Sequence, residues 1–74
     1  MSASARGRII AVQEDRFHLK TEDGRILRLA LSNRAGLEIR DLRRLYAMDA
    51  LVTVDYTGEA DLASAAVHAV YTAG

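Results

Sequence analysis

Two runs of alternating side chains, joined by a short turn that contains glycine, constrain the fold of this chain most strongly. Residues 17–21 (Phe-His-Leu-Lys-Thr) and 27–31 (Leu-Arg-Leu-Ala-Leu) each change character at every second position. This period of two is typical of half-buried strands, because successive side chains of a strand point to opposite faces. The two runs therefore predict a β-hairpin.

The register of this hairpin follows from which faces have to match. A two-residue loop would set Leu19 opposite Arg28 and mix apolar with charged side chains. A three-residue loop over residues 22–24 sets Leu19 opposite Leu27 and keeps the faces matched. We therefore predict a type I turn closed by a bulge, with Gly24 in the left-handed conformation. The same register gives two further pairs, Phe17 with Leu29 and His18 with Arg28.

A first strand is predicted over residues 7–12 (Gly-Arg-Ile-Ile-Ala-Val), ahead of a polar turn at residues 13–16. Strict alternation puts Ile10 and Val12 on the core face. A bulge, which inserts one extra residue into a strand, would put Ile9 and Val12 there instead. The sequence leaves both arrangements open.

A short helix is predicted after residues 32–36, whose Ser, Asn and Gly break the strand pattern. Asp41 is the expected side-chain cap, because a carboxylate accepts hydrogen bonds from the unpaired N–H groups of a first helical turn. The spacing places Leu42, Leu45 and Tyr46 on one face of the helix. Three arginines line the other face: Arg40, Arg43 and Arg44.

The remaining chain contains two more candidate strands. Leu51–Tyr56 alternates again and predicts a fourth strand, with Val52, Val54 and Tyr56 inward. The tail at residues 62–71 is alanine-rich, and its pattern fits two structures.

In the tail, apolar residues at helical spacing would form a stripe on a helix capped by Asp61. Against that, Val67, Val70 and Tyr71 suit a closing strand. We favour the strand, because four strands alone would leave exposed edges.

Three strands, a short helix and two more strands is the order found in OB-type barrels. The apolar and turn positions of this chain resemble those of small bacterial OB-like domains of uncharacterised function. The positions that carry the resemblance are Gly7-x-Ile9-x-x-Val12, Phe17-x-Leu19, Asp23-Gly24, Asp41-Leu42-x-x-Leu45 and Val52-x-Val54-x-Tyr56. The resemblance covers residues 7–71. It implies an all-β fold, a small five-stranded OB-like barrel with one short helix between strands 3 and 4, and it supplies no catalytic residue.

The length of 74 residues suits one domain, expected over residues 7–74 after a disordered terminus at residues 1–6. A domain of this size buries only about 60% of the surface of its unfolded chain, which favours a stabilising partner or self-association. The chain has no cysteine, so neither a disulfide nor a thiolate metal site supports its core. No signal peptide or membrane span is recognised, and we expect a cytoplasmic protein without membrane contact.

The charges are distributed unevenly, although the formal net charge is zero. Ten bases and six acids give residues 1–48 a formal charge of +4, whereas four acids and no base give residues 49–74 a charge of −4. Like charges on one surface add into a field that attracts the opposite sign. The asymmetry favours a binding role, unless basic strands lie beside acidic ones in the barrel and neutralise each other.

The leading expectation is a non-enzymatic binding module that contacts a protein partner or a second copy of itself. Marginal size and complementary halves motivate this expectation. Ile26, Leu51 and Met48 are expected at the surface and would add apolar contact area.

Single-stranded nucleic acid is the alternative ligand, because OB-type barrels bind oligonucleotides on the outer face of strands that include the second and third. Six basic side chains are expected on the outer face of strands 1–3: Arg8, Arg16, His18, Lys20, Arg25 and Arg28. Such surfaces also use aromatic rings on which bases stack. Phe17 and Tyr56 are expected to point inward, which leaves Tyr46 and Tyr71 as the remaining rings.

The sequence contains no recognisable catalytic constellation, and we predict no enzymatic activity, cofactor, metal or small-molecule substrate. It has no cysteine nucleophile and no glycine-rich phosphate loop. A metal site that joins His18 and His68 to Asp55 or Glu59 is disfavoured against solvated or packed histidines, because zinc needs three or four well-oriented ligands. The carboxylate pairs fall in predicted turns and are expected to be turn formers.

Overall fold

Five strands and one helix follow one another in the order that the sequence predicts. The computed structural model describes residues 2–32, 35–58 and 65–72. Its elements are β1 (Ser2–Gln13), β2 (Arg16–Thr21), β3 (Ile26–Leu31), α1 (Ile39–Ala47), β4 (Leu51–Thr57) and β5 (Ala65–Thr72). The predicted fold class, an all-β barrel of five strands with a helix between the third and the fourth, is confirmed.

The strands close into a barrel in the order β1-β2-β3-β5-β4, with β4 paired back to β1. All neighbouring strands are antiparallel except β3 and β5, which run parallel. Closure pairs strands that an open sheet would leave at its edges. The barrel therefore depends on β5, whose sequence is the least typical of a strand.

β1 is long enough to pair with two neighbours. Its residues 2–8 pair with β4, and its residues 7–13 pair with β2. Gly7 belongs to both ladders and is buried. A Cβ at Gly7 would overlap the carbonyl oxygen of Lys20 and lie 2.8 Å from Cα of Thr21. Glycine is required here because the backbone of β2 occupies the space that a side chain would need.

β1 begins at Ser2, earlier than the predicted start at Gly7. The segment predicted to be disordered, residues 1–6, is therefore strand from Ser2 onwards, and Met1 lies outside the described residues. The sequence pattern did not predict this half of the strand, because Ser and Ala have a weaker β propensity than branched or aromatic residues. Ala5 is nevertheless buried, opposite Val54.

A bulge in β1 decides which of its side chains face the core. The register with β2 shifts between Ile9 and Ala11, which makes Ile10 the extra residue. Ile9 is 3% exposed and Val12 packs against the core, whereas Ile10 is 40% exposed. Of the two arrangements that the sequence left open, the bulged one is present.

The hairpin of β2 and β3 has the predicted register. All three expected pairs are present: Leu19 with Leu27, Phe17 with Leu29, and His18 with Arg28. The Gly24 N–H donates to the carbonyl of Thr21 at 3.0 Å, and Gly24 has a φ of 92°. The three-residue loop and its left-handed glycine are confirmed.

The start of α1 differs from the prediction by three positions. The N-cap is Glu38, whereas Asp41 lies in the first helical turn. The Asp41 carboxylate accepts a hydrogen bond from the Glu38 N–H at 3.0 Å. This is the back-bonding half of a capping box, so Asp41 supports the helix start without being the cap residue.

The buried face of α1 is narrower than predicted. Leu42 is fully buried and Leu45 packs against the core, but Tyr46 is 46% exposed. One residue turns an α-helix by about 100°, which carries Tyr46 past the edge of a stripe centred on Leu42 and Leu45.

β5 confirms the strand interpretation of the tail from Ala65 onwards, and residues 62–64 lie outside the described residues. It pairs with β3 only over Leu29–Leu31. Its register against β4 shifts after Asp55, which makes His68 an extra residue in β5. The strand that closes the barrel is therefore also bulged.

The interior of the barrel is apolar and receives side chains from every strand and from the helix. Its buried members are Ala5, Ile9, Phe17, Leu19, Leu27, Leu29, Leu42, Val52, Val54, Ala65 and Val67. As predicted, Val52 and Val54 point inward, and Tyr56 packs half-buried against the same core. In the described part of the chain, no helix has the length and apolar character needed to cross a membrane.

Candidate functional site

The six basic residues predicted for the outer face of strands 1–3 are all exposed. They are Arg8, Arg16, His18, Lys20, Arg25 and Arg28. Cross-strand register brings Arg8 beside Lys20 and His18 beside Arg28. Arg8, Arg16, His18, Lys20 and Arg28 occupy outward positions of β1, β2 and β3. Arg25 differs from the prediction, because it lies in the turn before β3, opposite the buried Thr21. We call these six residues the basic face.

Some of the bases in and around this face are paired with acids. Arg8 Nε lies 3.7 Å from Asp49 Oδ2, and Arg25 Nε lies 3.1 Å from Asp23 Oδ2. Outside the face, Arg6 Nε lies 3.1 Å from Glu22 Oε1. The positive field is therefore reduced near the β2–β3 turn and near the end of α1.

Arg16, Lys20 and Arg28 are different. Within the described residues, none of the three has a carboxylate at ion-pair distance. They lie on β2 and β3, which are not neighbours of the acidic β4 in the barrel order. Neutralisation between adjacent strands, the alternative that the sequence left open, thus does not reach these three side chains.

One depression on this surface is lined by cationic and neutral groups. It has a volume of about 290 Å³ and lies over β1, β2 and β3. Its lining consists of Ala11, Gln13, Arg16, Phe17, His18, Arg28 and Leu29. The side chains of Phe17 and Leu29 are buried beneath it, and the polar side chains surround it. We call this site the cationic depression.

A second region combines apolar and basic side chains. Register aligns Leu51, Arg8, Lys20 and Ile26 in a row across four strands. Ile10, displaced outward by the bulge, lines a depression of about 440 Å³ together with Arg8, Lys20 and Leu51, and Glu22 and Asp49 belong to the same lining. We call these five residues the mixed patch. Of the two residues in it that were expected at the surface, Ile26 is 53% exposed and Leu51 is half-buried.

Ile10 is the member of this surface that the sequence pattern left unassigned. The sequence signal was that only one of Ile9 and Ile10 can share the core face with Val12. Only a bulge lets both Ile9 and Val12 point inward, and a bulge forces Ile10 out. Met48, at the end of α1, is 66% exposed, as expected.

Aromatic rings are not part of the basic face. Phe17 is 1% exposed and Tyr56 is half-buried against the core, as predicted. The exposed rings, Tyr46 and Tyr71, belong to α1 and β5 rather than to β1–β3.

The β2–β3 turn is held by a small polar network. The Thr21 hydroxyl donates to Asp23 Oδ1 and accepts from the Arg25 N–H at 3.0 Å. The hydrogen bond from Thr21 is the largest cause that lowers the pKa of Asp23 below its ordinary value, and the Arg25 guanidinium acts in the same direction. These contacts stabilise the turn that aligns β2 with β3.

The two histidines are held in separate places. His18 lines the cationic depression, whereas His68 lines a different depression with Asp55. Nε2 of His68 lies 2.8 Å from the Thr57 hydroxyl, and its Nδ1 lies 3.5 Å from the Ser32 hydroxyl. Among the described residues no group of three or more His, Asp or Glu side chains could hold a metal ion. Glu59 lies outside those residues.

Comparison with protein-family models, with curated proteins and with solved structures found no match for this chain. The candidate surface is therefore defined by the side chains of this chain alone. Two features characterise it: unpaired cations around the cationic depression, and exposed apolar side chains beside bases in the mixed patch.

Proposed function

We propose that this protein is a non-enzymatic interaction module that binds a protein partner through the mixed patch. One observation carries the proposal: Ile10 and Ile26 are 40% and 53% exposed beside two bases. Ile26 lies opposite Lys20, and Ile10 follows Arg8 by two residues on β1 and lines the same depression. Exposed branched side chains clustered with bases on a regular sheet form a surface that a partner would desolvate.

The position of the patch supports this role. The bulge at Ile10 re-aims a large apolar side chain away from the core, and bulges are over-represented where a strand serves a site. Ile9 and Val12 supply the core contacts of this part of β1, and Ile10 is not a member of the core. The expected partner presents apolar side chains with an acidic neighbour that complements Lys20. Arg8 is already paired with Asp49.

The family resemblance belongs to the same proposal. The strand order and the helix between β3 and β4 are those of OB-type barrels, a fold that hosts many binding functions. We propose that the protein is a bacterial OB-like domain that acts in the cytoplasm.

A screen of displayed random peptides tests the proposal and does not require the partner to be identified first. The wild-type protein should enrich peptides that combine acidic and apolar residues. Ile26→Ser should weaken the best peptide by roughly tenfold, as expected for an apolar contact in the centre of an interface. Tyr71→Ser is the matched control, because Tyr71 is 56% exposed on β5, outside the patch.

Two outcomes would contradict the mixed patch as a partner site. One is a screen without enrichment; the other is an equal loss of binding in Ile26→Ser and Tyr71→Ser. Sedimentation equilibrium of the same variants tests for a second copy as the partner. A wild-type dimer that Ile26→Ser dissociates would identify self-association as the interaction.

Single-stranded nucleic acid is the second candidate ligand. Arg16, Lys20 and Arg28, which have no ion-pair partner among the described residues, favour it, because phosphate contacts dominate nucleic-acid affinity. Fluorescence anisotropy with labelled oligo-dT should then show binding that weakens as salt rises and as Arg16 is changed to Gln. Binding that ignores salt, or none at low salt, would exclude this ligand.

A further inference from the structure

We infer that the cationic depression is a phosphate-monoester site that receives a phosphorylated side chain of the protein partner. The source of the phosphate rests on the proposed interaction function, whereas the chemistry of the site does not. Three features of the depression support this role: the charge of its lining, the space that the β1 bulge creates, and its small size.

The lining concentrates positive charge without an opposing carboxylate. Arg16, His18 and Arg28 contribute donors, and Gln13 contributes an amide that donates as well. The described residues place no Asp or Glu in the lining. Guanidinium groups bind phosphate oxygens in a bidentate manner, and several convergent donors suit a dianion with three acceptor oxygens.

The bulge creates the space. Because Ile9 lies opposite Leu19, an unbulged strand would set Ile10 opposite His18. The bulge sets Ala11 there instead. A methyl group in place of a branched side chain leaves room beside His18 and Arg28. The same extra residue thus moves Ile10 into the mixed patch and opens the depression next to it.

The size of the depression suits a phosphate group better than a whole cofactor. Its volume of about 290 Å³ lies at the lower end of the range of roughly 300–1,000 Å³ typical of small-molecule pockets. Phe17 and Leu29 also line it, but their side chains point into the core on the other side of the sheet. The outward-facing side chains of Arg16, His18 and Arg28 are therefore the ones that meet a ligand.

The surroundings favour a single phosphate on a peptide over a phosphodiester chain. Acidic residues stand in the turns at both ends of β2, at positions 14–15 and 22–23, and would repel a polyanion that runs along the strand. The described part of β1–β3 exposes no aromatic ring on which bases could stack. A peptide that crosses the strands would meet the mixed patch with its apolar side chains and the depression with its phosphate.

Amide chemical-shift titration of the full chain with O-phosphoserine, at constant ionic strength, tests the inference. The largest shifts should centre on Ala11, Gln13, His18 and Arg28. Arg28→Gln should weaken the binding roughly tenfold, the loss expected for a charge-assisted hydrogen bond. Arg44→Gln is the matched control: Arg44 is exposed on α1 and has no ion-pair partner among the described residues, and its loss should leave the affinity unchanged.

Three results would overturn the inference: no shifts at the depression, equal effects of Arg28→Gln and Arg44→Gln, or tighter binding of oligo-dT than of O-phosphoserine at the same phosphate concentration. The last result would identify nucleic acid as the ligand of the depression. The peptide screen, carried out with unphosphorylated peptides, reports on the mixed patch alone. If Ile26→Ser abolishes peptide binding while O-phosphoserine gives no shift, the phosphate site fails and the interaction module stands.

Discussion

The β1–β2–β3 meander and the β5 strand that closes the barrel are built by different means. In the meander, large apolar side chains alternate, and a glycine turn aligns Leu19 with Leu27. β5 consists largely of alanine and small valines, pairs with β3 only over Leu29–Leu31, and contains a bulge at His68. Local pattern thus specifies the meander, whereas β5 depends on partners that lie far away in sequence.

The two regions also differ at the surface. The meander carries Arg16, Lys20 and Arg28 without ion-pair partners among the described residues. In β5, His68 is engaged within the protein, since its ring lies within hydrogen-bond distance of hydroxyls on Thr57 and Ser32. The region with the more strongly specified fold is therefore the one free to present a binding surface.

The largest expected effect on stability comes from Phe17 in the meander. Phe17→Ala should cost about 3–5 kcal/mol, because it leaves a cavity in the centre of the core. Val67→Ala in β5 deletes less buried volume and should cost less. Urea denaturation followed by circular dichroism measures both. A larger loss in Val67→Ala would reverse the ranking of the two regions.

Gly7→Ala tests the point where β1 passes between its two partners. The new Cβ would meet the backbone of Lys20 and Thr21, which cannot move aside as a side chain would. We expect a loss of about 3 kcal/mol in the free energy of unfolding. Gly24→Ala is the control, since open space surrounds Gly24 and only its positive φ is strained; it should cost about 1 kcal/mol. Equal losses would contradict the steric argument.

His68→Ala tests the strand β5, which closes the barrel. The substitution removes the partner of the Thr57 hydroxyl and should destabilise the barrel by about 1–2 kcal/mol. Amide hydrogen exchange should increase mainly in β5 and its neighbours, because the meander keeps its own ladder. Uniform acceleration over the whole barrel would show that the two regions unfold as one unit.

The smallest effect is expected at the turn of the meander. The pKa of Asp23 is lowered chiefly by the Thr21 hydroxyl. A lowered pKa in the folded state contributes stability that is present above the ordinary aspartate pKa and is lost as the pH falls through the folded value. Asp23→Asn should therefore be slightly less stable than wild type at neutral pH, and the difference should vanish in acid. A difference that persists at low pH would contradict this assignment.

Much of the fold could be predicted from the sequence because the decisive information is local. Alternation and the glycine turn were enough for the register of β2 and β3. The first half of β1 was missed, since Ser2–Ala5 lacks large side chains and is a strand only through its pairing with β4. The prediction of Asp41 as the cap was wrong because an acid in the first turn resembles a cap in sequence. Both carboxylates accept from a backbone N–H, but a cap residue accepts from an N–H later in the chain, whereas Asp41 accepts from the earlier Glu38 N–H.

The candidate site was predicted in part. Alternation placed Arg8, Arg16, His18, Lys20 and Arg28 at outward positions that are exposed, whereas Arg25 lies in the turn before β3. It could not show which bases have acidic partners. Arg8 meets Asp49 only because α1 ends beside β1, a long-range contact. The cationic depression could not be predicted from alternation either, because it depends on the bulge that sets Ala11 opposite His18.

The central claim is that positive potential accumulates over β2 and β3 and not over β5. Solvent paramagnetic relaxation measured with an anionic and a cationic nitroxide reports the potential near each amide. The anionic probe should be enriched at His18, Lys20 and Arg28, and both probes should act alike at β5. Equal action of the two probes at β2 and β3 would contradict the account.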